Sequence, residues 1–316
     1  NPIRNAMLGA AISMEMARVV RRFSGSGDLI VAHWLLPSVL AAVAAGIGIR
    51  KAIHGYAHGG DIALLESLPR PIARRTAKIV DGRTAGITFV SSNLQERFNA
   101  LLDRKPNARQ SVIPMGITRP KADLKFGRYI SEVANGRYVI ATIGRMVKIK
   151  GLDTFLDALK SRSDVLWVAA GSGPERTSLI DNAARAGVAL LAPGQIRAAE
   201  REALLNASTL FVQPSRPLGN RQEGSPVALS EALAAGVPSI VSTTGGMVSV
   251  GQMSQCYMVP CNDSQALRKG MNDLLSHPAE REAMAKAHRT FGRRLCWDEL
   301  GQAHWAALAQ SLSGPV

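Results

Sequence analysis

The fold class predicted by this sequence is α/β, with parallel sheets of doubly wound type in two domains. Short apolar runs rich in β-branched residues alternate with helical patterns along the chain, as β-α-β units require. At 316 residues a single hydrophobic core would be too large, so two α/β domains are expected. A hydrophobic content of 46% is ample for strands buried on both faces.

In chain order, a helical pattern over Met7–Phe23 comes first. Candidate strands follow at Leu29–Ala32, Ile53–Ala57, Ile87–Ser91 and Ser111–Ile113. The uncharged run Leu29–Ile49 has roughly the twenty residues a membrane span needs. His33, Pro37 and Ser38 divide it, so a buried strand and a packed helix are expected instead. The polar, proline-containing stretch from Thr118 to Gly127 reads as a linker. Second-half strands are expected at Tyr138–Ile143, Val165–Ala170, Ala189–Leu191, Thr209–Val212 and Ser239–Ser242, with helices at Leu152–Lys160, Pro174–Ala186 and Ala198–Ala207. The domains are therefore expected at 1–118 and 119–296, with a C-terminal helix over 297–316 packing back on the first. No repeat or low-complexity tract interrupts this pattern.

Cys256, Cys261 and Cys296 are odd in number and lack zinc-ligand spacing, which predicts reduced thiols. The N-terminus has no h-region or cleavage site, so a cytoplasmic chain is expected. Net charge is +14, and +9 of it falls before residue 121, where sixteen Lys/Arg stand against seven Asp/Glu. That balance suits anionic membrane lipids or a lipid-pyrophosphate acceptor. Aromatics at 5%, with no stacking pattern among the basic residues, argue against nucleic acid.

Chemistry concentrates in the second half. Glu223 and Glu231 bracket Gly224-Ser225-Pro226-Val227 and the start of a helical pattern with Leu229 and Leu233 on one face. Ser225 suits an N-cap, Pro226 the first helical position, and Gly236 the stop. The two carboxylates would then lie on the order of 10 Å apart, around a helix N-terminus able to hold a phosphate. Arg145 and Lys150 follow the strand Tyr138–Ile143, at the end where open α/β sheets bind ligands. His58 ends a strand before Gly59-Gly60-Asp61, and a glycine pair lets backbone approach a ligand closely. His54 and His58 face one way on a strand, but no third ligand has suitable spacing and no metal site is expected. Gly171-Ser172-Gly173-Pro174 opens a helix after a strand, without completing a dinucleotide fingerprint.

The block from Glu223 to Gly246 closely resembles the Glu-x7-Glu signature of retaining GT-B glycosyltransferases, specifically glycosyltransferase family 4. Further motifs agree in type and order. Gly144-Arg-Met-Val-Lys-Ile-Lys-Gly151 resembles the family's donor-phosphate motif. Val112-Ile-Pro-Met-Gly-Ile117, His58-Gly-Gly-Asp61, Asp28-Leu-Ile-Val-Ala-His-Trp34 and Leu295-Cys-Trp-Asp298 resemble four others.

The resemblance implies two Rossmann-like domains facing across a cleft. It implies retaining transfer of a sugar from a nucleoside-diphosphate sugar to a sugar or lipid-linked acceptor, in polysaccharide or glycolipid synthesis. No metal or other cofactor is expected, and the basic first half predicts peripheral contact with an anionic membrane. Arg145 and Lys150 are implied to clamp the diphosphate, with Gly144 beside them. Glu223 and His58 would meet the donor sugar, and Glu231 the ribose hydroxyls. Backbone N–H groups just after the first Glu touch sugar and phosphate in the family. Pro226 cannot donate, which leaves Gly224, Ser225 and Val227, while Gly173 would lie beside the nucleobase. Family members carry about a full β-α-β-α-β unit, with a glycine-rich loop, before the stretch matched at Asp28. Only twenty-seven residues precede it here, so a shortened first domain or a fragment is expected. The rival readings are a sugar phosphorylase on the same scaffold and a nucleotide-sugar-binding protein without turnover.

Overall fold

The computed structural model describes residues 14–22, 28–45 and 52–313. The chain divides into two compact units, one formed by Asn1–Met115 with Leu300–Val316, the other by Gly116–Glu299.

In the first unit, residues 14–22 form helix α1; the rest of the Met7–Phe23 pattern lies outside the described residues. Strands β1 (Ile30–His33), β2 (Ile53–Ala57), β3 (Gly86–Phe89) and β4 (Arg109–Val112) build a parallel sheet in the order β1-β2-β3-β4. Helices α2 (Leu40–Ala44), α3 (Gly60–Glu66), α4 (Arg70–Arg83) and α5 (Ser92–Asn99) connect them. The uncharged run after Leu29 does split into a strand and a helix, and among the described residues no helix is long and apolar enough to cross a membrane. Its last four residues, 46–49, lie outside the description. Ile53, Ile87 and Phe89 from the strands and Ala77, Val80, Leu94 and Phe98 from the helices share one core.

In the second unit the expected linker is irregular over residues 118–123, but its last four residues already belong to helix α6 (Leu124–Ala134). Asp123 caps it, accepting from the backbone N–H groups of Lys125 and Phe126 at 3.0 Å, so a good N-cap overrides the polar, glycine-containing composition. Strands β5 (Tyr138–Ile143), β6 (Val165–Ala170), β7 (Leu190–Gly194), β8 (Leu210–Gln213), β9 (Ser239–Ser242) and β10 (Tyr257–Val259) form a parallel sheet in the order β10-β9-β8-β5-β6-β7. Counted from β5 this is 3-2-1-4-5-6, the doubly wound dinucleotide-binding order.

Side chains alternate between two cores, as a sheet covered on both faces requires. Val139, Ala141, Leu166 and Val168 join α6, α9 (Ala198–Ala207) and α10 (Val227–Ala235) on one face. Ile140, Val165 and Trp167 join α7 (Leu152–Leu159), α8 (Arg176–Arg185) and α12 (Ser264–Ser276) on the other. Helix α11 (Met247–Ser254) sits between β9 and β10, and α13 (Pro278–Arg293) follows α12. Cys256, Cys261 and Cys296 are unpaired thiols, and burial pushes Cys256 up to about 12.

The last helix, α14 (Trp297–Leu312), is held in the first unit by polar contacts. His54 Nδ1 lies 2.8 Å from Ser311 Oγ, and His54 Nε2 lies 2.8 Å from Thr88 Oγ1. Ser311 donates to the Ala307 carbonyl, so His54 Nδ1–H donates to Ser311, and Nε2 accepts from Thr88. Only a neutral ring fits both roles. Burial first, and then the neighbouring His304, push the His54 pKa from 6.5 down to about 4. Burial likewise holds His58, His288 and His304 below the ordinary histidine range.

Because the folded pKa lies below the unfolded one, the unfolded chain takes up this proton first as pH falls. The stability contribution is whole above pH 6.5 and is lost between there and about 4. Urea unfolding between pH 7 and 4.5 should show a fall of roughly 2–3 kcal/mol from this site. His54→Gln should flatten that profile; an unchanged slope in the variant would rule out His54 as its source.

Candidate functional site

Strands β5 and β8 pair through Ile140–Leu210 and Ala141–Phe211, while the helices after them pack on opposite faces. A crevice opens at their carboxyl ends, at the point where strand order reverses. Gly144, Arg145, Met146 and Lys150 line it after β5, with Gln213 at the end of β8 and Pro214 just beyond it. Gly144 has φ 148°, which few side chains tolerate. Lys150 ends a short 3₁₀ turn, Lys148–Lys150, and folds back so that its Cε would lie 3.4 Å from a Cβ placed on Gly144. Its ammonium meets Glu223 Oε1 at 2.7 Å, half-shielded from water, and Ser215 Oγ donates to the same oxygen at 3.0 Å. Arg145 is exposed at the rim. The predicted residues Gly144, Arg145, Lys150 and Glu223 are therefore brought together.

Gly173 belongs to this assembly as a packing residue. A Cβ on it would fall 2.3 Å from the Met146 carbonyl oxygen, and one on Gly171 only 1.9 Å from that of Gly144. The Met146 N–H donates to Ser172 at 2.8 Å. The loops after β5 and β6 thus run backbone against backbone, which fixes the path of the Gly144–Gly151 segment.

The loop into α10 departs from the expected cap. Pro226 has φ −81° and ψ 73°, and the Val227 N–H bonds the Ser225 carbonyl at 3.0 Å. This is an inverse γ-turn centred on proline, so the helix starts at Val227 and Pro226, not Ser225, is the N-cap residue. The Ser225 hydroxyl does not cap; it is buried without a partner. Val227 has spent its N–H inside the turn, and Gly224 is buried beside Glu223. Gly236 ends the helix in the left-handed region, φ 75°.

Glu231 is held by a residue that no motif contained. Arg201 on α9 donates from Nη2 at 2.9 Å and from Nε at 3.3 Å to its carboxylate. The two stand thirty positions apart, and Arg201 reads in sequence as an ordinary surface cation. Each glutamate of the pair therefore carries one cation, Lys150 on Glu223 and Arg201 on Glu231. Charge-assisted bonds of this kind contribute about 1.5–3 kcal/mol each when well formed.

In the first unit, the loop after β2 is organised by Asp61. Its carboxylate is fully buried and accepts from the backbone N–H groups of Leu35, Gly59 and Ile62 at 2.8, 2.8 and 3.0 Å, with His58 N–H at 3.2 Å. One side chain thus ties the end of β1 to the end of β2. His33 Nδ1 and His58 Nε2 lie 2.9 Å apart, so one ring donates and the other accepts. Burial, with help from His33, holds His58 low against the opposing pull of Asp61. His33 also stacks on Tyr56 at 4.8 Å, whose hydroxyl meets His304 Nδ1 at 3.0 Å.

A family model for Glycosyl transferases group 1 matches residues 127–291, more than half of the 316 residues. TuaC of Bacillus subtilis, named for teichuronic acid biosynthesis, is 26% identical over 255 residues, 77% of this chain and 60% of its own length. The GDP-mannose-dependent α-(1-6)-phosphatidylinositol monomannoside mannosyltransferase of Mycolicibacterium smegmatis is 26% identical over 294 residues, 88% of this chain and 74% of its own length. The chain thus spans under two thirds of TuaC. Anabaena HepE, solved in complex with UDP and glucose, superposes with a TM-score of 0.78 at 17% identity, covering 95% of this chain and 81% of its own. A UDP-forming trehalose-phosphate synthase from Burkholderia xenovorans gives 0.79 at 17% identity, covering 97% and 79%. These likenesses fit the two parallel α/β units of a GT-B fold, and Gly144, Arg145, Lys150, Glu223 and Glu231 all fall inside the matched span. The chain belongs to the glycosyl transferases group 1 family.

Proposed function

We propose that this chain carries out retaining transfer of a sugar from a nucleoside-diphosphate sugar to a hydroxyl acceptor, in the manner of glycosyltransferase family 4. The observation that carries this reading is the Lys150–Glu223 pair at the strand-order reversal. A diphosphate entering the crevice would find Arg145 exposed and Lys150 within reach, and Lys150 can exchange part of its contact with Glu223 for phosphate oxygen. Glu223 is then freed to accept from sugar hydroxyls. Two cations at the leaving diphosphate supply countercharge as the glycosyl bond breaks, so the reading requires no metal ion. HepE bound UDP and glucose, and the mycobacterial relative is named for GDP-mannose. Either base therefore belongs in a donor panel.

Glu231 would accept from the ribose hydroxyls while Arg201 holds its other lone pairs. The decisive experiment is calorimetry with UDP and GDP, paired with product analysis from UDP- and GDP-sugars in the presence of a chelator. Glu231→Ala should weaken nucleoside diphosphate binding by roughly 1.5–3 kcal/mol, while Glu223→Ala should spare the free nucleotide and weaken only the sugar-bearing donor. Anomeric retention should show in the product. Unchanged nucleotide affinity in Glu231→Ala, or inverted product, contradicts the reading.

The acceptor side belongs at an anionic membrane surface. On α4, Ile72 and Ile79 are 53% and 39% exposed, and Arg75 and Arg83 share that exposed side. Lys78 flanks it and pairs with Asp103 at 2.8 Å, while Arg70 and Arg74 lie around the helix from it. The one acid of the helix, Asp81, is buried and paired with Arg104 at 2.7 Å, which leaves Arg75 and Arg83 as the outward cations beside the two isoleucines. Such a face should bind anionic lipid by about 1 kcal/mol per engaged cation and weaken as salt screens it. Liposome sedimentation should show preference for anionic over neutral vesicles, lost at high salt. Equal partitioning onto both would mean that these cations are only solvated surface.

A further inference from the structure

Trp34 is built against its own backbone preference. It follows β1 with φ 74° and ψ 115°, a region that costs free energy for any residue bearing a Cβ and that persists only where the surroundings impose it. The imposing contacts are on both sides of it. The Trp34 N–H bonds the Tyr56 carbonyl at 2.9 Å, and the next N–H, that of Leu35, is held by buried Asp61 at 2.8 Å. Its ring lies over Gly60, where a Cβ would come within 2.9 Å of Cη2 and 3.0 Å of Cζ3. Gly60 thus leaves room for the indole. The strained, tightly bracketed side chain is nevertheless 47% exposed. A large aromatic that served only to pack would be covered by the fold that strains it.

The surroundings define the ligand. Trp34 stands at the carboxyl end of a parallel strand, where open α/β sheets bind their ligands. His33 precedes it directly, and the His33–His58 pair stands at the same sheet end, with imidazole N–H and N groups able to donate and accept. A flat, electron-rich face beside hydrogen-bonding groups suits a ligand with one C–H face and a rim of hydroxyls, because aromatic faces carry negative charge that attracts polarised C–H groups.

We propose that Trp34 is a carbohydrate-stacking platform in the first unit, which takes the C–H face of a pyranose while His33, held by its hydrogen bond to His58, meets its hydroxyls. Its ligand is the sugar of the acceptor, an assignment that rests on the transfer reading above; the platform itself does not.

Saturation-transfer NMR with methyl α-D-mannopyranoside and methyl α-D-glucopyranoside tests it on the full chain. Transfer should concentrate on one face of the pyranose. Trp34→Leu should weaken binding about 3- to 10-fold, and Trp34→Phe should keep most of it. Trp305→Ala, which removes an indole 71% exposed on α14, should leave it unchanged. Trp34→Gly should lose glycoside binding without lowering the thermal midpoint, because glycine accepts φ 74°. No transfer from either glycoside to the wild-type chain, or equal transfer in wild type and Trp34→Leu, overturns the proposal. So does a Trp34→Leu defect confined to anionic vesicles, which would make the indole a membrane contact. UDP and GDP binding, read in the same samples, reports on the donor site separately. Its absence would sink the transfer reading and leave glycoside binding at Trp34 to be judged by itself.

Discussion

Strands β5 and β8 hydrogen-bond side by side, yet the chain leaves their carboxyl ends toward opposite faces of the sheet. No helix can cover the gap this creates, because the connections that would do so depart in different directions. The second unit commits its most restricted backbone to that gap. Gly144 and Gly173 both have positive φ, and the loops carrying them are pressed together at distances that exclude a Cβ. The rest of the crevice follows, since Lys150 folds back over Gly144, its Cε 3.4 Å from where a Cβ would stand, and reaches Glu223.

Electrostatics then determines how the site rests and what it can accept. A half-buried carboxylate or ammonium is costly unless paired, and Lys150–Glu223 and Arg201–Glu231 solve this locally, without a ligand. Such a resting state favours ligands that carry both an anion and hydroxyls. A phosphate alone competes with Glu223 for Lys150, whereas a phosphorylated sugar replaces both halves of the contact. The first unit is arranged differently. There one fully buried carboxylate, Asp61, gathers backbone N–H groups from two strand ends, and positions His33, Trp34 and His58 through backbone geometry.

Much of this was legible in the sequence where burial alone sets structure. Tyr138–Ile143, Val165–Ala170, Ile53–Ala57 and Ser239–Ser242 form strands with the expected limits, because strands covered on both faces read as short, uncharged and mostly apolar runs. Tyr257–Val259 was missed because three residues are too few to show a period. Leu124–Ala134 was missed because its stability comes from the Asp123 cap and from Ile130 and Ala134 in the core, not from composition. Site residues near one another in sequence, such as Gly144 and Lys150, were readable from their motif. Arg201 was not, since only tertiary packing of α9 on α10 brings it to Glu231. The Ser225 cap failed because Pro226 forms its own turn, and the Trp34 backbone was invisible because its cause, Asp61, acts across strands.

The central claim is that the crevice at the β5–β8 reversal receives a nucleoside diphosphate. The most direct measurement is amide NMR of ¹⁵N-labelled protein titrated with UDP and with GDP. Saturable shifts should cluster in Gly144–Gly151, Gly171–Gly173 and Glu223–Glu231, with the side-chain signal of Arg201 moving alongside. Shifts gathered instead in the first unit, or none at saturating nucleotide, would contradict the account.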